Sequence, residues 1–193
     1  MTVEKKDKMA KTPVFRASFP HVFKPHSGFD GQAPKYSLVM LFDKKTADIK
    51  DLKKAALAAA TEKWGPKEKW PKNLRLPFRD GDEKSDMQGY AGTIFVNASS
   101  KQKPQVINKN RELLTEDDGA FYAGCFAKAT LMAYAYDTAG NKGVSFALQN
   151  VLKIGDGESF SGRKAAEDDF SEEDFEIKDG SDDASNYDAD LGF

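Results

Sequence analysis

Apolar and polar residues alternate with a period of two through much of this chain, the pattern of strands with one buried face. Six segments carry it, rich in β-branched and aromatic residues: 12–23 (TPVFRASFPHVF), 35–42 (KYSLVMLF), 90–99 (YAGTIFVNAS), 104–108 (PQVIN), 121–136 (FYAGCFAKATLMAYAY) and 143–154 (GVSFALQNVLKI). The last two flank DTAGNKG, whose Gly and Asn residues suit a hairpin turn. One segment changes period. In 46–64 (TADIKDLKKAALAAATEKW), Ile49, Leu52, Ala56 and Ala60 recur at helical spacing, while Lys50, Lys53 and Lys54 fall elsewhere. Thr46 is placed to cap this helix and Asp48 to sit in its first turn, where the helix dipole favours an anion. Gly65 and Pro66 stop it. The pattern predicts a mainly β fold, a small antiparallel barrel of five or six strands with one helix.

Two stretches fall outside that core. Residues 64–80 (WGPKEKWPKNLRLPFRD) are broken by three prolines and a glycine and read as an irregular excursion. Beyond Lys164 the apolar residues are too sparse to offset the entropy of ordering, so 165–193 is expected to be disordered. The domain boundaries follow: a charged arm over 1–11, a folded domain over 12–164 and an acidic tail over 165–193.

Charge sharpens this division. Residues 165–193 hold 12 Asp and Glu against one Lys, a charge of −11. The preceding 164 residues hold 28 Lys and Arg against 19 Asp and Glu, a charge of +9 that the overall −2 conceals. A positive field of that kind favours polyanionic partners. No apolar run approaches the roughly 20 residues that cross a bilayer, and the lysine-rich N-terminal residues lead into no apolar segment of a secretory signal. Cys125 is the only cysteine, so an internal disulfide or thiolate metal cluster is excluded. No membrane partner and no cofactor is expected.

Catalytic patterns are weak. His21 and His26 lie five apart around Pro25 and suit polar turn positions better than metal ligation. Asp80, Asp82 and Asp86 resemble a calcium loop, but Lys84 occupies a ligand position and Ser85 the position of the turn glycine. GDGESFSG is followed by no Gly-Lys-Ser/Thr, so it is no phosphate loop. A nuclease using a carboxylate cluster assembled in space stays open as an alternative, with nothing in the spacing to support it.

Binding of single strands needs cations along the phosphates and flat aromatic faces on which bases stack. In CFAKATLMAYAY, Cys125, Ala127, Ala129, Leu131, Ala133 and Ala135 make one small apolar face. Phe126, Lys128, Thr130, Met132, Tyr134 and Tyr136 make the other, which reads as a solvated platform, the competing reading being tyrosines buried with satisfied hydroxyls. Phe95 shares a face with Thr93 and Asn97, against Ile94 and Val96. Arg16 and Ser18 alternate with Phe15, Ala17 and Phe19, so Arg16 is expected to point outward. Lys101, Lys103, Lys109 and Arg111 place basic charge on the neighbouring connections, and the excursion adds Trp70, Arg75 and Arg79. Each lysine alone is ordinarily a solvated surface residue. Trp64 follows Leu57 and Ala60 at helical spacing and reads as core.

The stretch from 121 to 163 resembles the C-terminal half of a family of tailed-phage single-stranded DNA-binding proteins. The shared features are Gly124 and Cys125, alternating Tyr134 and Tyr136, Asn141-Lys142-Gly143, Leu148 to Asn150 and GDGESFSGR; TPVFRASFPHVF fits the family's opening strand. The resemblance covers most of residues 12–164. It implies an OB-fold, a partly open five-stranded barrel, action on single-stranded DNA in replication or recombination in the host cell cytoplasm, and no catalytic residues. An ordinary OB-fold places its helix after the third strand, whereas here it follows the second. Either a strand is uncounted, with Pro20 splitting the first, or the helix is an elaboration.

On that basis the tail competes with DNA for the basic body as a tethered polyanion. Leu191 and Phe193 would anchor in a partner's pocket while Asp188 and Asp190 pair with its basic rim. Phage or host replication proteins are the expected clients. A structural adaptor with no preference for single strands is the remaining alternative.

Overall fold

The computed structural model describes residues 3–138 and 140–160. All of them lie in the first of two compact units, Met1–Ser161. The elements follow in the order β1 (Met9–Lys11), β2 (Phe15–His26), β3 (Lys35–Asp43), α1 (Lys50–Trp64), β4 (Arg79–Asp80), β5 (Thr93–Ser100), β6 (Gln105–Ile107), β7 (Phe126–Thr138) and β8 (Asn141–Gly155). The predicted tail, including Asp188, Asp190, Leu191 and Phe193, lies outside the described residues.

Strands β2, β3, β5, β8 and β7 close a ring in that order. Every junction is antiparallel except one: β5 meets β8 in parallel at Ala98 opposite Phe146. This is the five-stranded OB circuit, with β6 added in parallel along β8 and β1 added along β7. β1 lies in the stretch expected only as a charged arm. Ala10, opposite Leu131, supplies its buried side chain. The hairpin between β7 and β8 is tighter than DTAGNKG suggested, with Thr138 opposite Asn141 and Gly140 at φ 80°.

The core follows the parity of the sequence. Leu38, Met40 and Phe42 of β3, Val96 and Ala98 of β5, Ala127 to Ala133 at odd positions of β7, and Val144, Phe146 and Leu148 of β8 are all buried. Burying each large aliphatic or Phe contributes roughly 1.5–3 kcal/mol. The alanines of β7 leave room for α1, which packs on β1, β7 and β8 through Leu52, Ala55, Ala56, Ala59 and Ala60. α1 follows the second barrel strand, and β2 runs unbroken through Pro20, so the helix is an elaboration. Thr46 does not cap it: the helix begins at Lys50, whose N–H donates to Asp48 Oδ1 at 3.0 Å.

The irregular excursion has a structural task. Arg75 exchanges backbone hydrogen bonds with β8, donating to Lys142 and accepting from Val144, while β4 pairs Arg79 opposite Phe95 of β5. Residues 75–80 thereby bridge β5 and β8 beside their short parallel contact. Among the described residues no helix is long and apolar enough to cross a membrane.

Candidate nucleic-acid interface

Where residues 75–80 cross between β5 and β8, they frame an open groove of about 720 Å³. Arg75, Arg79, Tyr136, Asn97 and Ser145 line it, with Leu76, Pro77, Phe78, Asp80 and Glu83. Even positions of β7 and odd positions of β5 point out of the barrel, which places Tyr136 and Asn97 on this outer surface. Tyr136 stands opposite Gly143, and a Cβ there would collide with its ring, so the glycine makes room for the aromatic face. Neither Arg75 nor Arg79 forms an ion pair among the described residues, which leaves both charges for an anionic ligand. Tyr134, 39% exposed, sits opposite Ser145 and extends the aromatic surface.

Other predicted residues fall around this groove or away from it. Lys101 and Lys103 after β5, and Lys109 and Arg111 after β6, are exposed and form no ion pair among the described residues. Lys128 lies instead beside a smaller groove of about 340 Å³, lined also by Lys11, Gln105, Ile107, Thr130, Asn150 and Leu152.

Three residues serve differently from the sequence expectation. Phe95 is on the outer face but only 2% exposed, packed with Leu41 and Tyr90 and lying beneath the Arg79 and Lys84 cations at 5.7 and 5.4 Å. It offers no open ring to a base. The segment after β4 covers it, a tertiary event that strand parity does not report. Arg16 points outward as expected, but its guanidinium is occupied: it donates to the Gly124 and Glu158 carbonyls at 3.1 and 2.6 Å and lies over the rings of Phe126 and Phe160. Trp70 packs against the core like Trp64, and its indole N–H donates to the Gly65 carbonyl at 2.9 Å. It is a brace for the excursion.

The acidic loop is internally neutralised in part. Lys44 Nζ reaches Asp80 at 2.5 Å and Asp82 at 2.6 Å, and those bonds hold both carboxyls below their usual pKa. Among the described residues no three His, Cys, Asp or Glu side chains are grouped to hold a metal ion. Cys125 is fully buried, and burial pushes its thiol pKa up.

Sequence reasoning passed over Ser145 and Phe19, and Ser145 is recognisable only once 75–80 is seen to cross the barrel.

The family model described as the single-stranded DNA-binding protein of Enterobacter phage Enc34 matches residues 8–183. Protein p50 of Acyrthosiphon pisum secondary endosymbiont phage 1 is 39% identical over 155 residues, which span 76% of this chain and 83% of that protein. Among solved structures, the single-stranded DNA-binding protein of bacteriophage Enc34 in complex with ssDNA is similar at a TM-score of 0.69 and 28% identity, covering 81% of this chain and 91% of that one. The gp2.5 single-stranded DNA-binding protein of bacteriophage T7, at a TM-score of 0.52 and 15% identity over 82% and 97% of the two chains, shares the fold.

Proposed function

The chain belongs to the phage single-stranded DNA-binding protein family represented by that of Enterobacter phage Enc34, and on that premise we propose that it coats single-stranded DNA along the outer groove between β5 and β8. It is a binding protein and not an enzyme. The observation that carries the reading is the convergence of Arg75, Arg79 and Tyr136 in one open groove. Guanidinium groups follow phosphates, and a tyrosine face accepts any base, so the arrangement suits binding without sequence preference. Lys101, Lys103, Lys109 and Arg111 add exposed charge near the same barrel, and Tyr134 a second ring. Lys128, beside the smaller groove, widens the basic surface.

The acidic segment 165–193 completes the proposal. Its charge of −11 competes with DNA for the basic body, weakening binding until DNA displaces it. Leu191 and Phe193, set among Asp188 and Asp190, dock replication or recombination proteins in the host cell cytoplasm. Titration of a labelled oligothymidine and a matched duplex tests the core of this reading. Preference for the single strand is expected; equal affinity for both would contradict it.

A further inference from the structure

Phe19 holds a backbone conformation that costs energy and gains nothing visible in the fold. Its φ is +44°, a left-handed value that L residues with bulky side chains rarely adopt. The cause is a one-residue bulge in β2: Ser18 pairs with Val39 and His21 with Ser37, so three steps on β2 match two on β3. Ser18 and His21 stay on one face, and Phe19, which alternation with Phe15 and Ala17 assigns to the core, is expelled to 51% exposure. A bulge of this kind ordinarily takes glycine at that position. Retaining a phenylalanine there implies that its ring is needed outside.

The surroundings indicate what it meets. On the same hairpin the rings of His21 and His26 stack at 4.4 Å and 14°. Burial, then the charge of His26, lowers the pKa of His21, so its ring is a neutral flat surface at neutral pH. Phe29 stands 69% exposed at the turn that follows. Lys35 lies opposite His26. Exposed flat rings with a cation alongside are the chemistry of base stacking, not of a protein core.

We propose that Phe19, on the same strand as the stacked His21 and His26, is a second base-stacking station for single-stranded DNA on the β2–β3 hairpin. This rests on the single-strand reading above and extends the DNA path beyond the groove at β5 and β8.

The test compares wild type, F19G and F19Y on an oligothymidine and on an abasic oligonucleotide of equal length and charge. Glycine accepts the +44° backbone without strain, so F19G is expected to fold and to melt within a few degrees of wild type. Its affinity for oligothymidine should fall about tenfold, the loss of one stacked base. Affinity for the abasic strand should not change, and F19Y should retain wild-type binding to both. An equal loss on both strands, or no loss on either, would overturn the proposal while leaving the single-strand reading intact. Failure of wild type to bind oligothymidine would overturn both.

Discussion

The guanidinium of Arg16 lies 4.4 Å from the ring centre of Phe160 and 5.5 Å from that of Phe126. Together with its bonds to the Gly124 and Glu158 carbonyls, it straps residues 156–160 onto β2 and β7. A Cβ at Gly124 would collide with the Glu158 backbone, so that close approach requires glycine. Residues 156–160 are therefore held at a fixed place on the barrel. Arg16→Ala should lower stability by about 2 kcal/mol, from the cation–π contacts and two hydrogen bonds. Lysine should not restore it, lacking the planar fork. Urea melts give the first value. An unchanged dependence of DNA affinity on salt would confirm that Arg16 is a strap and not a phosphate contact.

Phe95→Ala separates packing from binding at the covered face. Removing a buried ring set among Leu41 and Tyr90 should cost about 3 kcal/mol or more in unfolding free energy. At a temperature where the variant stays folded, its oligothymidine affinity should match wild type.

Tyr136→Leu keeps apolar bulk over Gly143 but removes the stacking face. Oligothymidine affinity measured by anisotropy should drop by roughly 1–3 kcal/mol. Tyr134→Leu should have a smaller effect in the same direction.

His21 makes stability depend on pH. Its folded pKa is lowered below the usual 6.5 by burial and then by the stacked His26. The unfolded chain therefore binds the proton more readily. The stabilisation is fully present above pH 6.5 and is lost as pH falls from there toward the lowered value. The charged groups on this hairpin are Arg16, bonded to the Gly124 and Glu158 carbonyls, Lys24, which pairs with Glu116 at 2.6 Å, Asp30 in the turn, Lys35 opposite His26, and Asp43 at the far end of β3. Carboxyls with lowered pKa, such as Asp80 and Asp82, weaken the fold only below their own usual value of 3.8. Melting midpoints should thus fall between pH 8 and pH 5.5, and His21→Phe should flatten that slope.

Strands β7 and β3 were legible because strict alternation and dense apolar residues leave one register with a buried face. β7 keeps its parity even through a mismatch at Thr130, because the extra residue is on β8: Thr130 pairs with Asn150 and Leu131 with Leu148. Phe19 was illegible for the complementary reason, since the bulge sits on its own strand. β1 and β4 are too short to show a period. Arg75 and Arg79 could be nominated from charge, but only the backbone bonds of 75–80 to β5 and β8 bring them to Tyr136. For Phe95 the parity was right and the exposure was not, because cover comes from residues distant in the chain.

In the proposed complex, single strands run through the groove of Arg75 and Arg79. The most direct measurement is oligothymidine affinity across a salt series for wild type and for the double variant R75Q/R79Q. If both guanidiniums contact phosphates, the double variant binds more weakly and its slope of log affinity against log salt is shallower by about 1.4. A slope equal to that of wild type would place the DNA elsewhere on the barrel.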